Sequence, residues 1–110
     1  MARAIPRRLL IHSAVLKSGK TVDVWGNDTW ASETSLGHVR FEPTTKMKLS
    51  KDNKEIQCSL LMFFDVRNST PKGTVFALGQ TIHWNGVDHD IASIDYLSDT
   101  RLHHVELGLV

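Results

Sequence analysis

The sequence is poor in the features that most directly announce chemistry. It holds one cysteine, Cys58, so neither an intrachain disulfide nor a cysteine-based zinc framework can form. Cys58 lies inside the apolar run IQCSLLMFF, which predicts a buried structural thiol and not the open, cationic setting of a nucleophile. No apolar segment approaches the roughly 20 residues that a membrane helix needs, so no membrane partner is expected. The segment RAIPRRLLIHSAVLK sets basic residues before an apolar run, as a signal peptide does. That run (residues 9–16) is broken by His12 and Ser13 and leads to no small-residue cleavage site, so secretion is not expected. Thirteen Lys and Arg against 12 Asp and Glu leave a formal charge of +1, and any basic surface must be local. Gly-rich phosphate loops, G-x-S-x-G and H-E-x-x-H are all missing, which removes the commonest catalytic signatures.

Helical periodicity is scarce as well. The apolar residues fall in short groups separated by Gly, Asn, Asp, Ser and Pro. At 110 residues they belong to one domain, 1–110, with enough buried surface for one core. Residues 9–16, 22–25, 36–42, 55–64, 74–78, 81–84, 87–97 and 102–110 read as strands. Residues 26–35 (GNDTWASETS) read as an exposed loop and 68–73 (NSTPKG) as a turn. Val39 and Phe41 share one face, as do Val105, Leu107 and Leu109 on the last segment. Asn85-Gly86 supplies the positive φ angles of a two-residue hairpin turn. The predicted fold is mainly β, a small antiparallel β-barrel or sandwich with long loops and an extended N-terminal arm over residues 1–8.

One segment, GQTIHWNGVDHDI (79–91), concentrates His83, Asp88, His89 and Asp90 and raises the question of a metal or acid–base site. On a strand, Asp88 and Asp90 face away from His89. Across a two-residue turn Trp84 meets Val87 and His83 meets Asp88, which yields one pair where catalytic zinc wants three protein ligands. His103 and His104 are likewise adjacent and face opposite sides, leaving only His104 and Glu106 together. The expectation is a structural hairpin, no metal, no cofactor and no enzyme.

The basic patches carry more information. TTKMKLSKDNKE (44–55) brings Lys46, Lys48, Lys51 and Lys54 into a connection that is long for a hairpin, and long loops in compact domains tend to be functional. Arg3, Arg7 and Arg8 surround Pro6 in an arm too short and proline-broken for a helix, suited to docking on a partner or on phosphates. Asp65 and Arg67, in FFDVRNSTP, leave a very apolar strand and are either a salt-bridged strand end or a subunit contact, and Asn68 beside them is a further candidate contact.

Four stretches, IPRRLLIHSAVL, SKDNKEIQCSLLMFFDVRNSTP, FALGQTIHWNGVDHDIASIDYL and LHHVELGLV, together resemble the minor capsid proteins of tailed bacteriophages and prophages, a family similar to head-closure (stopper) and head–tail connector proteins. The likeness spans nearly the whole chain in matching order, with His89 where an aromatic residue is expected. It implies a non-enzymatic part of the virion neck, made in the host cytoplasm. It would assemble with itself as a ring, six- or twelve-fold, against a portal or adaptor above and a tail-completion or tail-tube protein below, around packaged double-stranded DNA. By position, the 44–55 loop would face the channel. The alternatives are a tail-completion or tail-terminator protein and, from another class, a nucleic-acid-binding barrel. The latter wants aromatics interleaved with basic residues on one sheet face, whereas Trp25, Trp30 and Trp84 are scattered.

Overall fold

A computed structural model describes residues 7–45, 47–49, 54–98 and 102–110. The short apolar groups become eight strands among the described residues: β1 (His12–Val22), β2 (Asp28–Pro43), β3 (Met47–Leu49), β4 (Glu55–Gln57), β5 (Leu60–Asp65), β6 (Thr81–Trp84), β7 (Val87–Ser98) and β8 (Leu102–Leu109). Six of them pair antiparallel in the order β1-β2-β5-β8-β7-β6, and β1 meets β6 to close the sheet into a barrel. Closure leaves no barrel edge unpaired along the closing register, which runs from Val15 opposite His83 to Lys17 opposite Thr81. The predicted β class and barrel are thus observed. Residues Arg7–Leu9, where the arm joins the barrel, coil into a single 3-10 turn.

Alternation decides what fills the interior. Leu36, Val39 and Phe41 from β2, Met62 and Phe64 from β5, Ile82 from β6, and Val105, Leu107 and Leu109 from β8 form one buried cluster. Each such side chain contributes roughly 1.5–3 kcal/mol on burial. At one end of the cluster Phe41 stacks on Trp84 at 4.2 Å, and His12 sets its ring edge-on to both. A bulge shifts the β1–β2 register between His12 and Ala14. Opposite it, Gly37 bridges Thr70 by two backbone hydrogen bonds, 2.9 and 3.0 Å, and a Cβ on Gly37 would lie 2.8 Å from Thr70 Oγ1. A side chain at this position would have to displace the Thr70 hydroxyl.

Four expectations are corrected. Residues 26–35 are mostly the first part of β2, because pairing to β1 uses backbone groups that polar side chains do not interrupt. Residues 22–25 are not a separate strand: Val22 ends β1 and the chain turns through 23–27. The 55–64 strand is two strands, divided at Cys58-Ser59, where the Ser59 N–H donates to Leu109 O and Ser59 O accepts from the Thr44 N–H. Residues 74–78 form no strand; Phe76 is instead drawn into the core, against Phe64 at 5.3 Å.

Within the long 44–55 connection, residues Met47–Leu49 form a strand. Its β3 strand pairs with β4, Met47 opposite Gln57 and Leu49 opposite Glu55, as a separate two-stranded sheet. Two hairpins therefore leave the barrel at opposite ends. β1–β2 runs out beyond the level of β6, and β3–β4 joins the far end of β2 to the start of β5. The molecule measures 47 × 30 × 23 Å along its principal axes.

Candidate assembly surfaces

The 79–91 hairpin forms in the expected register, Trp84 opposite Val87 and His83 opposite Asp88. His83 Nδ1 lies 2.6 Å from Asp88 Oδ1, and Lys17 Nζ from β1 reaches the same oxygen at 3.3 Å. Partial desolvation pushes the Asp88 carboxyl up, but hydrogen bonds from His83 and Lys17 and their charges outweigh it, and its pKa falls below the usual value. Asp90 accepts from the Thr81 hydroxyl at 3.1 Å, and His89 pairs with Ile82 across the ladder, half-buried. Lys17 also sits 4.3 Å over the ring of Trp30. The polar groups that suggested a site are thereby tied to their own sheet. Among the described residues no three His, Cys, Asp or Glu side chains are grouped to hold a metal.

At the other histidine pair, His104 stands opposite Asp65 across β5–β8. Burial lowers its pKa, against the raising charges of Asp65 and Glu106. Asp65 itself is fully buried. Its Oδ1 accepts the backbone N–H groups of Arg67 and Asn68, both at 2.9 Å, while its own N–H donates to Ser69 Oγ at 2.8 Å. The Ser69 hydroxyl in turn donates to His38 O. An aspartate holding two successive N–H groups is a local turn device. The Asp65 carboxylate is therefore buried and engaged by its own turn, where the expected partner was the Arg67 side chain, and of the two residues grouped with it in sequence Arg67 is exposed and Asn68 half-buried.

The candidate lysines divide. Lys48 lies in β3, and Lys54 is exposed just before β4. Lys46 and Lys51 lie outside the described residues, as does Arg3 of the arm. Arg7 falls in the 3-10 turn and Arg8 is exposed. Where the arm joins the barrel, the Arg40 guanidinium donates to Leu9 O at 3.1 Å.

Two apolar surfaces escaped the sequence reading. The first is the tip of β1–β2, where Val22 is 66% exposed, Val24 88% and Trp25 82%. Asp23 shapes this turn: its Oδ1 accepts the N–H groups of Trp25 and Asn27 at 2.9 Å, and Gly26 turns at φ +82°. The D-V-W-G-N sequence carries that signal, an aspartate two and four residues before N–H groups it can accept, with glycine in the left-handed position. The second surface is a cavity of about 260 Å³ at the barrel end from which the β1–β2 hairpin extends. Core residues Phe64, Phe76 and Val105 form its floor, and Val66, Val75 and Tyr96 its rim. No local pattern marks it, because β5, β7, β8 and the segment before β6 each contribute.

The described residues thus form a closed barrel with hairpins at both ends, polar groups tied in local pairs and apolar side chains exposed at the β1–β2 tip. The sequence matches the minor capsid protein family over residues 6–109, and the chain belongs to that family, whose members are structural proteins of phage virions. No curated protein matches it.

Proposed function

We propose that this minor capsid protein is a head-closure or head–tail connector subunit, one of a ring that seals the DNA channel beneath the portal or its adaptor and receives the tail. The observation that supports this reading most is the arrangement of two hairpins at opposite ends of one closed barrel. The barrel acts as a rigid spacer, so one end can engage neighbours while the other reaches the channel. The β3–β4 hairpin is the channel element in this reading, with Lys46, Lys48, Lys51 and Lys54 in or next to it. A formal charge of +1 for the whole chain suits a body that does not seek DNA, while lysines gathered on one hairpin add a local, salt-dependent attraction to phosphate. The subunits of a ring meet through unlike surfaces in a contact that must close.

The test is deletion of the gene from the phage that carries it, followed by negative-stain microscopy of the lysate. Separate tails beside unjoined heads are expected, with most heads empty if the ring closes the channel. Filled heads beside separate tails would assign it to tail attachment alone, and normal numbers of joined particles would end the connector reading. Replacing the four lysines by serine is expected to raise the fraction of heads that lose DNA. Unchanged DNA retention would remove the channel role of the hairpin.

A further inference from the structure

We infer that the β1–β2 tip is a knob that seats in the barrel-end cavity of a second copy of this chain, and that this contact joins neighbouring subunits. Trp25, Val24 and Val22 are among the most exposed large apolar side chains described, and tryptophan is a residue type enriched at interfaces. The cavity is floored by Phe64, Phe76 and Val105 and rimmed by Val66, Val75 and Tyr96, of which Val75 is 76% and Tyr96 56% exposed. Its volume of about 260 Å³ exceeds the ~150 Å³ that suffices for benzene in an apolar cavity, which leaves room for an indole.

The topology keeps knob and socket of one chain apart. β1 last meets β6 at Lys17, so residues 18–22 carry the turn about 17 Å beyond the barrel. In the closed order β8, at the centre of the socket wall, lies opposite β1. A tip that rises from one wall and a socket that opens in the other are unlike surfaces on one subunit, the condition for a heterologous contact.

Charge favours the pairing. The tip carries Asp23 and Asp28, with Lys20 at 3.5 Å from Asp28, and is acidic on balance. The chain neighbours of the socket lining are the exposed Arg67 and Lys72, the half-buried Asp95, and Asp65 and Glu106, which are buried, so the exposed rim is basic on balance. Tip against socket brings opposite charges together, whereas tip against tip brings like charges together. This inference deepens the ring reading above and rests on it for closure only, since the contact itself requires nothing but a second copy.

Two exposed positions test it without disturbing the fold. Purified V24C and V75C variants are mixed in equal amounts at roughly millimolar concentration under mild oxidation, and the disulfides are mapped by mass spectrometry. Cys58 is fully buried and does not compete. A mixed V24C-to-V75C disulfide far above the two-to-one statistical ratio over either homodimer is expected. The statistical ratio, a dominant V24C homodimer, or no disulfide at all would overturn the contact. In sedimentation velocity, W25A is expected to weaken self-association about thirtyfold, as loss of a central tryptophan does. Closed assemblies that W25A leaves unchanged would sink this contact and keep the ring. A mixed disulfide found only in open chains would keep the contact and sink the ring.

Discussion

The two halves of the β1–β2 hairpin share strands, register and chain, yet their fates differ. In the barrel half Ala14, Leu16, Leu36, Val39 and Phe41 are buried. In the outer half, residues 18–22 against 28–32, only Ser18 and Trp30 are even half-buried. Backbone pairing continues across both. What changes is the third neighbour: β2 meets β5 only from Val39 to Pro43, and β1 meets β6 only from Val15 to Lys17. A strand pair on its own holds its backbone but cannot desolvate side chains, and an isolated two-stranded ribbon is marginal in water. The barrel half stores the stability, and the outer half presents surface.

The largest expected effect breaks the first half. Leu36→Ala or Met62→Ala should lower unfolding free energy by about 2–5 kcal/mol, whereas Trp25→Ala should stay within about 0.5 kcal/mol. Urea titration of the monomer measures both, and equal losses would erase the distinction. Next comes the turn that closes the barrel end. Asp65→Ala leaves two N–H groups without their acceptor and should cost about 2–3 kcal/mol, with Arg67→Ala near zero in the same titration.

A smaller effect falls on the ribbon itself. Gly19 turns at φ +71°, and a Cβ there would stand 2.7 Å from Ala31 Cβ. Gly19→Ala should open the outer half by about 1 kcal/mol. Hydrogen exchange should then speed at amides of residues 18–22 and 28–32 while amides of β5 and β8 keep their protection. The smallest effect is one of pH and sharpens the barrel side. Burial depresses the folded pKa of His104, so the unfolded chain binds the proton more readily. The stability associated with neutral His104 is present above its unfolded value near 6.5 and is lost as pH falls through the lower folded value. The His104→Gln variant should therefore lose less stability than the wild type between pH 7 and pH 5, in urea titrations at each pH.

How much of this was legible before the structure depended on whether the signal was local. The β6–β7 hairpin, with His83 beside Asp88, followed from Asn85-Gly86 and the period of a strand, because a two-residue turn leaves one register. Cys58 was readable as buried from its apolar flanks. Residues 26–35 were misread because Ser, Thr, Asn and Asp suggest a loop by composition, while β2 is held there by backbone bonds to β1 that carry no side-chain signature. Asp65 was read as one half of a salt-bridged strand end or as a subunit contact; D-V-R-N also fits an aspartate that accepts its own downstream N–H groups, which is the partnership the structure shows.

The sequence alone determined the β class, the single core and the absence of an intrachain disulfide, since each depends on residue type and short-range period. It also carried the order of motifs by which the family is recognised. Which strands become wall and which become ribbon was decided only by the tertiary structure, through the short closing contact of β1 with β6. The same arrangement drew Phe76 into the core and assembled the barrel-end cavity from β5, β7, β8 and the segment that carries Phe76. Burial is a property of the whole arrangement: a valine on a strand is core or surface according to what packs over it, and that neighbour lies elsewhere in the chain.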